Sequence, residues 1–181
     1  VVALALNWAV EPWMGLSLNV ARIGEGNGFL GGMESGALAM TDAAETFSAG
    51  LSARVELGGG YRLTGSYSMG TTSIAPRAGS IATGFSDLTT AAYGVALTRD
   101  GVFMNGDLLG IAITRPIHIL EGSAALTLAT GVDADRRLIY GHEVLDLAGP
   151  APTNFEMGYT ARLLDGAASF SLSAAYQTDA G

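Results

Sequence analysis

The sequence predicts an all-β protein: an antiparallel up-and-down meander of about ten strands, forming a closed or nearly closed barrel. Three observations carry this. Large apolar and small or polar residues alternate with a period of two along most of the chain. Glycine-rich turn signals separate these runs, and the 26 glycines show no collagen-like period. No stretch has the 3.6-residue periodicity of an amphipathic helix.

The strands follow in order. Leu4, Leu6, Trp8 and Val10 alternate with Ala5, Asn7 and Ala9, and after a turn at Pro12 the pattern resumes as Leu16, Leu18 and Val20. Phe47, Ala49, Leu51, Ala53, Val55 and Leu57 share one face, opposed by Ser48, Gly50, Ser52, Arg54 and Glu56. Beyond Gly58, Gly59 and Gly60 come Tyr61, Leu63, Tyr67 and Met69, the return arm of a β-hairpin. Further runs are Tyr93-Val95-Leu97, Leu109-Ile111-Ile113 and Ala124-Leu126-Leu128. The last regular ones centre on Tyr159 and Leu172, with a less regular strand between residues 137 and 147. Residues 29–46 and 71–90 read as long connections, the kind that carry function. No linker divides the chain, so residues 1–181 read as one β-barrel-like domain.

Composition sharpens the choice of solvent. Apolar residues make up 49% and charged residues 14%, with a mean hydropathy of +0.34. The net charge is −8, and all nine basic residues are arginine. Without a basic stripe there is no electrostatic footprint for nucleic acid. The second face of the strands is Ser, Gly, Ala and Thr with few charges, where a water-soluble sandwich would carry long charged side chains. In an outer-membrane barrel the bulky row meets lipid and the small row lines the lumen. Trp8, Trp13, Tyr61, Phe103, Phe155 and Tyr176 fall near strand ends, as an aromatic girdle requires. Period-two alternation is the same in a soluble barrel or sandwich, so that reading stays open at this point.

Several segments together resemble the C-terminal domain that follows the protease domain in secreted subtilisin-like peptidases of Gram-negative bacteria. They are NGFLGG at 27–32, SGAL at 35–38, FSDL at 85–88 and AYGV at 92–95. GDLLGIAITRPI at 106–117, GSAALTLATG at 122–131, LAGP at 147–150 and FEMGY at 155–159 complete the set, spanning roughly residues 2–176. The resemblance implies an autotransporter-like β-domain serving as outer-membrane translocator or anchor. Its implied partners are an upstream protease domain, outer-membrane lipid and the barrel-insertion machinery. The alternative is a soluble β-rich accessory domain of the same protease, aiding folding, association or substrate docking, and so extracellular or periplasmic. That family closes its barrel with about twelve strands and ends on an aromatic insertion signal. This chain starts on Val1 and stops at Gly181, so it reads as a C-terminal fragment of a larger protein lacking a closing strand or two and that signal.

No catalytic role is expected of the fragment itself. GTTSIAP at 70–76 approximates the subtilase nucleophile motif, but Ser73 precedes both His118 and His142, and the spacing to Pro76 is one residue short. The two histidines lack metal-ligand spacing. Asp133 and Asp135 belong to a segment without the ligand pattern of a calcium loop, and read as a hairpin turn; Asp146 lies beyond it. GEGNGFLGG at 24–32 has no Lys-Ser/Thr and is no phosphate loop. There are no cysteines, and no cofactor is expected. The candidate site is a polar network on the small-residue face, Arg54, Glu56, Arg62, Glu156 and Arg162, placed to hold a passenger linker inside the barrel.

Overall fold

Alternating φ/ψ-extended runs leave this chain one way to satisfy its backbone, by pairing strand to strand. The computed structural model describes residues 1–26, 28–29, 32–33, 39–163 and 167–178, and all the regular structure in them is strand. The strands are β1 (Val2–Glu11), β2 (Met14–Gly26), β3 (Gly28–Phe29), β4 (Gly32–Met33), β5 (Thr41–Gly58), β6 (Tyr61–Pro76) and β7 (Ala82–Phe85). After them come β8 (Leu88–Asp100), β9 (Leu108–Glu121), β10 (Ser123–Val132), β11 (Leu138–Asp146), β12 (Asn154–Leu163) and β13 (Ala168–Gln177).

Eight strands form one antiparallel sheet in the order β1-β2-β5-β6-β8-β9-β12-β13. The order is the chain order with three excursions: the β3–β4 hairpin, β7, and the β10–β11 hairpin. All three leave from the same end of the sheet, and the connections β1–β2, β5–β6, β8–β9 and β12–β13 all lie at the other. The molecule thus has a turn end and a loop end.

Two expectations need correction. The meander leaves β10 and β11 outside the main sheet; they pair with β7 in a three-stranded sheet, and β9 pairs with β12 instead. The break comes at Gly122, where a Cβ would stand 2.3 Å from Leu88, so the chain turns off where only glycine fits. Second, the described residues of the connections at 29–46 and 71–90 are largely strand: they include the end of β3, all of β4 and β7, the start of β5, the end of β6 and the start of β8. Among the described residues β1 and β13 each have a single hydrogen-bonded neighbour, so the main sheet does not close on itself there.

The dry core is small and off-centre. Ala44, Ile74 and Leu88 are buried together at the loop end, with Phe85, Ile119 and Leu147 against them. Thr41, Thr72 and Thr90 are buried beside them, and Thr46 Oγ1 lies 2.9 Å from Thr72 Oγ1. The rest of the sheet is a single layer. The accessible surface of the whole chain, 11983 Å², compares with about 8,200 Å² for a compact protein of this mass.

The β5–β6 turn is built by three glycines at positive φ, Gly58, Gly59 and Gly60. A Cβ on Gly60 would stand 2.6 Å from the Asp100 carbonyl oxygen, and Asp100 N–H donates to the Gly60 carbonyl at 2.9 Å. Gly60→Ala should therefore lower stability by about 1–3 kcal/mol. Gly65→Ala, whose Cβ meets open space, should leave it nearly unchanged. Chemical-denaturation midpoints followed by tryptophan fluorescence measure the contrast; equal midpoints would contradict the clash.

Candidate functional site

The register places one large feature on each face of the main sheet. Trp8, Leu16, Ala53, Gly65, Val95, Ile113, Phe155 and Tyr176 stand opposite one another across all eight strands. The next rung is Asn7, Ser17, Ser52, Ser66, Gly94, Thr114, Asn154 and Gln177. Because side chains alternate between faces, these rungs repeat as two surfaces, one bulky and apolar, one small and polar. Among the described residues the bulky surface has no covering layer: Leu51, Val95, Ile111 and Leu172 are 52%, 51%, 52% and 62% exposed.

That apolar surface is a band with edges, and the band is oblique to the rungs. Toward the loop end the first outward charge on β2 is Arg22, six residues past Leu16, whereas on β9 it is Arg115, two past Ile113. Toward the turn end, β12 and β13 run eight residues past Phe155 and Tyr176, to Leu163 and Ala168, with no outward charge. The turns descend in step. From the rung of Trp8 it is three residues to Glu11, five to Gly58 and to Asp100, and eight to Leu163. A drop of five residues over six strand spacings makes a slant of about 30°. On β6 the outward run from Tyr61 to Met69, free of charge and of Ser or Thr, spans about 26 Å along the strand, or about 23 Å across the band, and Thr71 and Ser73 follow it.

Above the band the hydropathy of the two faces exchanges. Outward positions become Glu45, Thr71, Ser73 and Thr89, and inward positions become Ala44, Ile74 and Leu88. The dry cluster described above is this inverted segment. Arg22 pairs with Glu45 on the outer face at the same level.

Aromatic residues gather along both margins. Trp13, Tyr61, Phe103 and Phe170 lie at the turn end, where Phe103 packs edge-on to Tyr159 with centroids 5.6 Å apart. Tyr67, Tyr93, Phe155 and Tyr176 lie toward the loop end, and Phe155 and Tyr176 are neighbours at 6.4 Å. Of the aromatics named from sequence, Phe155 and Tyr176 therefore belong to the loop-end margin and the other four to the turn end.

The inner face holds part of the sequence-derived network. Glu56 accepts from Arg54 at 2.5 and 2.9 Å and from Arg62 at 2.8 Å, because Arg62 sits directly across the strands and Arg54 two residues along the same face. Arg62 also reaches Asp100 at 3.8 Å, a member that sequence reasoning missed although its parity on β8 is inward. Glu156 and Arg162 do not join: among the described residues neither forms an ion pair. Glu156 shares a rung with Arg54 but lies four strands away, about 19 Å across the sheet. Elsewhere this face is hydroxyl and amide, with Ser17 donating to Asn7 at 2.6 Å and Thr160 beside Ser171 at 3.2 Å. Near the loop end a groove of about 440 Å³ runs between Asn19, Thr46, Ser48, Ser68 and Thr90.

The other residues singled out from sequence are held locally. Ser73 lies in β6, faces outward and donates to Asp87 at 2.6 Å. His118 Nδ1 lies 3.2 Å from the Pro116 carbonyl oxygen, and His142 Nδ1 lies 3.0 Å from Thr127 Oγ1. Asp133 caps its turn, accepting from the N–H groups of Asp135 and Arg137, while Arg136 takes a φ of 62°. Among the described residues no cluster of His, Cys, Asp or Glu suits a metal. Part of the 24–32 segment, and the 35–38 segment, lie outside the described residues.

Among the described residues one carboxylate is buried, and its role is architectural. Asp107, 1% exposed, closes the β8–β9 turn by accepting from the N–H groups of Val102, Phe103 and Met104 and from the Tyr159 hydroxyl. Burial raises its pKa, but these four donors outweigh burial and hold it below the ordinary 3.8.

No family model matches the chain, no curated protein matches it, and no solved structure matches it.

With its pKa depressed in the folded state, Asp107 stabilises the turn fully above its unfolded value and loses that contribution as pH falls through the lower folded one. Amide exchange of Val102, Phe103 and Met104 should therefore be slow at neutral pH and gain an acid-triggered opening below about pH 3.8. Asp107→Asn should show the open turn at every pH. Unchanged protection in that variant would refute the capping role.

Proposed function

We propose that the eight-stranded sheet is the wall of a membrane β-barrel, an outer-membrane anchor or translocator with no catalysis of its own. The observation carrying this reading is the oblique apolar band. A planar slab of hydrocarbon cuts a sheet of tilted strands along a line inclined to the rungs and parallel to the turns, and the band follows such a line. Its slant of about 30° is near the 35–45° tilt of barrel strands, and its height of about 23 Å near their 25 Å apolar belt. A soluble sandwich has no reason to limit its bulky residues to a slanted strip, nor to leave them uncovered.

Two features agree. Faces exchange hydropathy at the upper margin, where a wall leaving lipid for water must begin to bury apolar groups inside. Short turns at one end and long excursions at the other are the usual asymmetry of such barrels. In hydrocarbon the free backbone groups of β1 and β13 would each cost several kcal/mol, so the wall must close, directly or through further strands.

The inner face, lined by Ser, Gly, Ala and Thr, leaves space for an extended polypeptide. The Arg54, Glu56, Arg62 and Asp100 cluster stands at the turn end of that space as a polar contact for it. An exported passenger is thus the partner we favour. That the passenger is a subtilisin-like protease rests on the sequence resemblance alone.

Leu51 lies near the middle of the band on β5, and Ser66 faces inward on β6. Leu51→Lys should destabilise the vesicle-inserted protein by about 2–4 kcal/mol, and Ser66→Lys by less than about 1 kcal/mol. Guanidinium titrations of protein folded into phosphatidylcholine vesicles measure both. If the wild-type chain is monodisperse and folded without detergent or lipid, or if Leu51→Lys is harmless, the membrane reading falls.

A further inference from the structure

We propose that the turn-end groove beside Arg99 is a binding site for an anionic phospholipid, its phosphate on the guanidinium and an acyl chain along the sheet. This deepens the membrane reading and rests on it. Among the outward arginines of the main sheet, Arg22 is neutralised by Glu45, and Arg115 is committed through Nη2 to the Ala151 carbonyl oxygen at 3.2 Å. Arg99 has neither kind of partner. No ion pair among the described residues includes it; its Nε, like that of Arg115, is buried without a hydrogen-bond acceptor, but unlike Arg115 it has no carbonyl on its terminal nitrogens either.

The Arg99 guanidinium carbon stands 4.7 Å from the Tyr61 ring centroid, which stacks the cation on the aromatic margin of the band. Such a position suits a headgroup at the border of hydrocarbon and water. A groove of about 150 Å³ opens beside it, between Tyr61, Leu97, Val102 and Leu109. Leu97 and Ile111 also line a second, larger groove of about 480 Å³, which continues past Val95, Ile113 and Met157. A charge without an acid therefore stands at the head of two adjoining apolar grooves, and an amphiphile with a single anionic headgroup complements both parts. A phosphate gives a guanidinium that has no acid beside it a charge-assisted acceptor.

The test uses the full chain folded into vesicles of phosphatidylcholine alone and of equimolar phosphatidylcholine and phosphatidylglycerol, followed by detergent extraction and analysis of the retained lipid. Wild type should retain phosphatidylglycerol over phosphatidylcholine by about fivefold relative to the vesicle ratio. Arg99→Gln should fall to the vesicle ratio, Arg99→Lys should keep part of the preference, and Arg115→Gln should keep all of it. Insertion into pure phosphatidylcholine should be the same for all four proteins. If Arg99→Gln inserts normally and keeps the preference, the site is refuted while the membrane reading stands. If wild type inserts into neither vesicle, the membrane reading itself fails and takes the site with it.

Discussion

A strand sends alternate side chains to opposite faces, so a sheet of a single layer must find a separate environment for each of them. Here one face carries Leu6, Leu18, Leu51 and Tyr67 in unbroken sequence from β1 to β6, and the described residues provide no second layer to cover it. Apolar surface in water costs roughly 25 cal/mol per Å², so an extended uncovered face of this kind exceeds what an isolated soluble domain ordinarily exposes. Whatever covers that face governs every other feature of the molecule.

The loop end obeys the ordinary rule of a water-soluble protein. There β5, β6 and β8 continue past the band, turn their apolar residues inward and close Ile74 and Leu88 into a dry cluster under the excursion that carries Phe85. The same strands thus serve two solvents along their length, and the change falls between Met69 and Thr71 on β6 and between Phe47 and Glu45 on β5. The β5–β6 and β6–β8 ladders keep their register through the change, while the β8–β9 ladder shifts beside it. On β5 and β6 it is the side chains, not the backbone, that mark the border.

The turn end is organised by charge. Glu56 between Arg54 and Arg62 satisfies two guanidinium groups on the inner surface, and Asp107 ties down the loop that positions Phe103 against Tyr159. Exposed ion pairs contribute little to folding, so the inner cluster matters more as a fixed polar lining than as a source of stability. On the outer surface the same end leaves Arg99 stacked on Tyr61 but without an acid. Arg54, Glu56, Arg62 and Asp100 are paired with one another on the inner surface, whereas Arg99 on the outer surface has no acid beside it.

Much of this was legible in the residues alone. The period-two pattern by itself determined the class, the antiparallel meander, ten of the strands and which side chains share a face, because alternation is a local property of extended backbone. It even located Glu56 and Arg62, since a glycine turn of known length sets their register. Tertiary structure alone decided the rest. That β10 and β11 leave the sheet depends on a close approach between Gly122 and Leu88, residues far apart in sequence. That Glu156 stands apart from Arg54 depends on how many strands intervene. That strands continue through 41–46 and 71–76 was hidden because hydropathy changes faces there, which breaks the alternation without breaking the strand. The obliqueness of the band could not be read from any single strand: it exists only between strands, in the stagger of one ladder against the next.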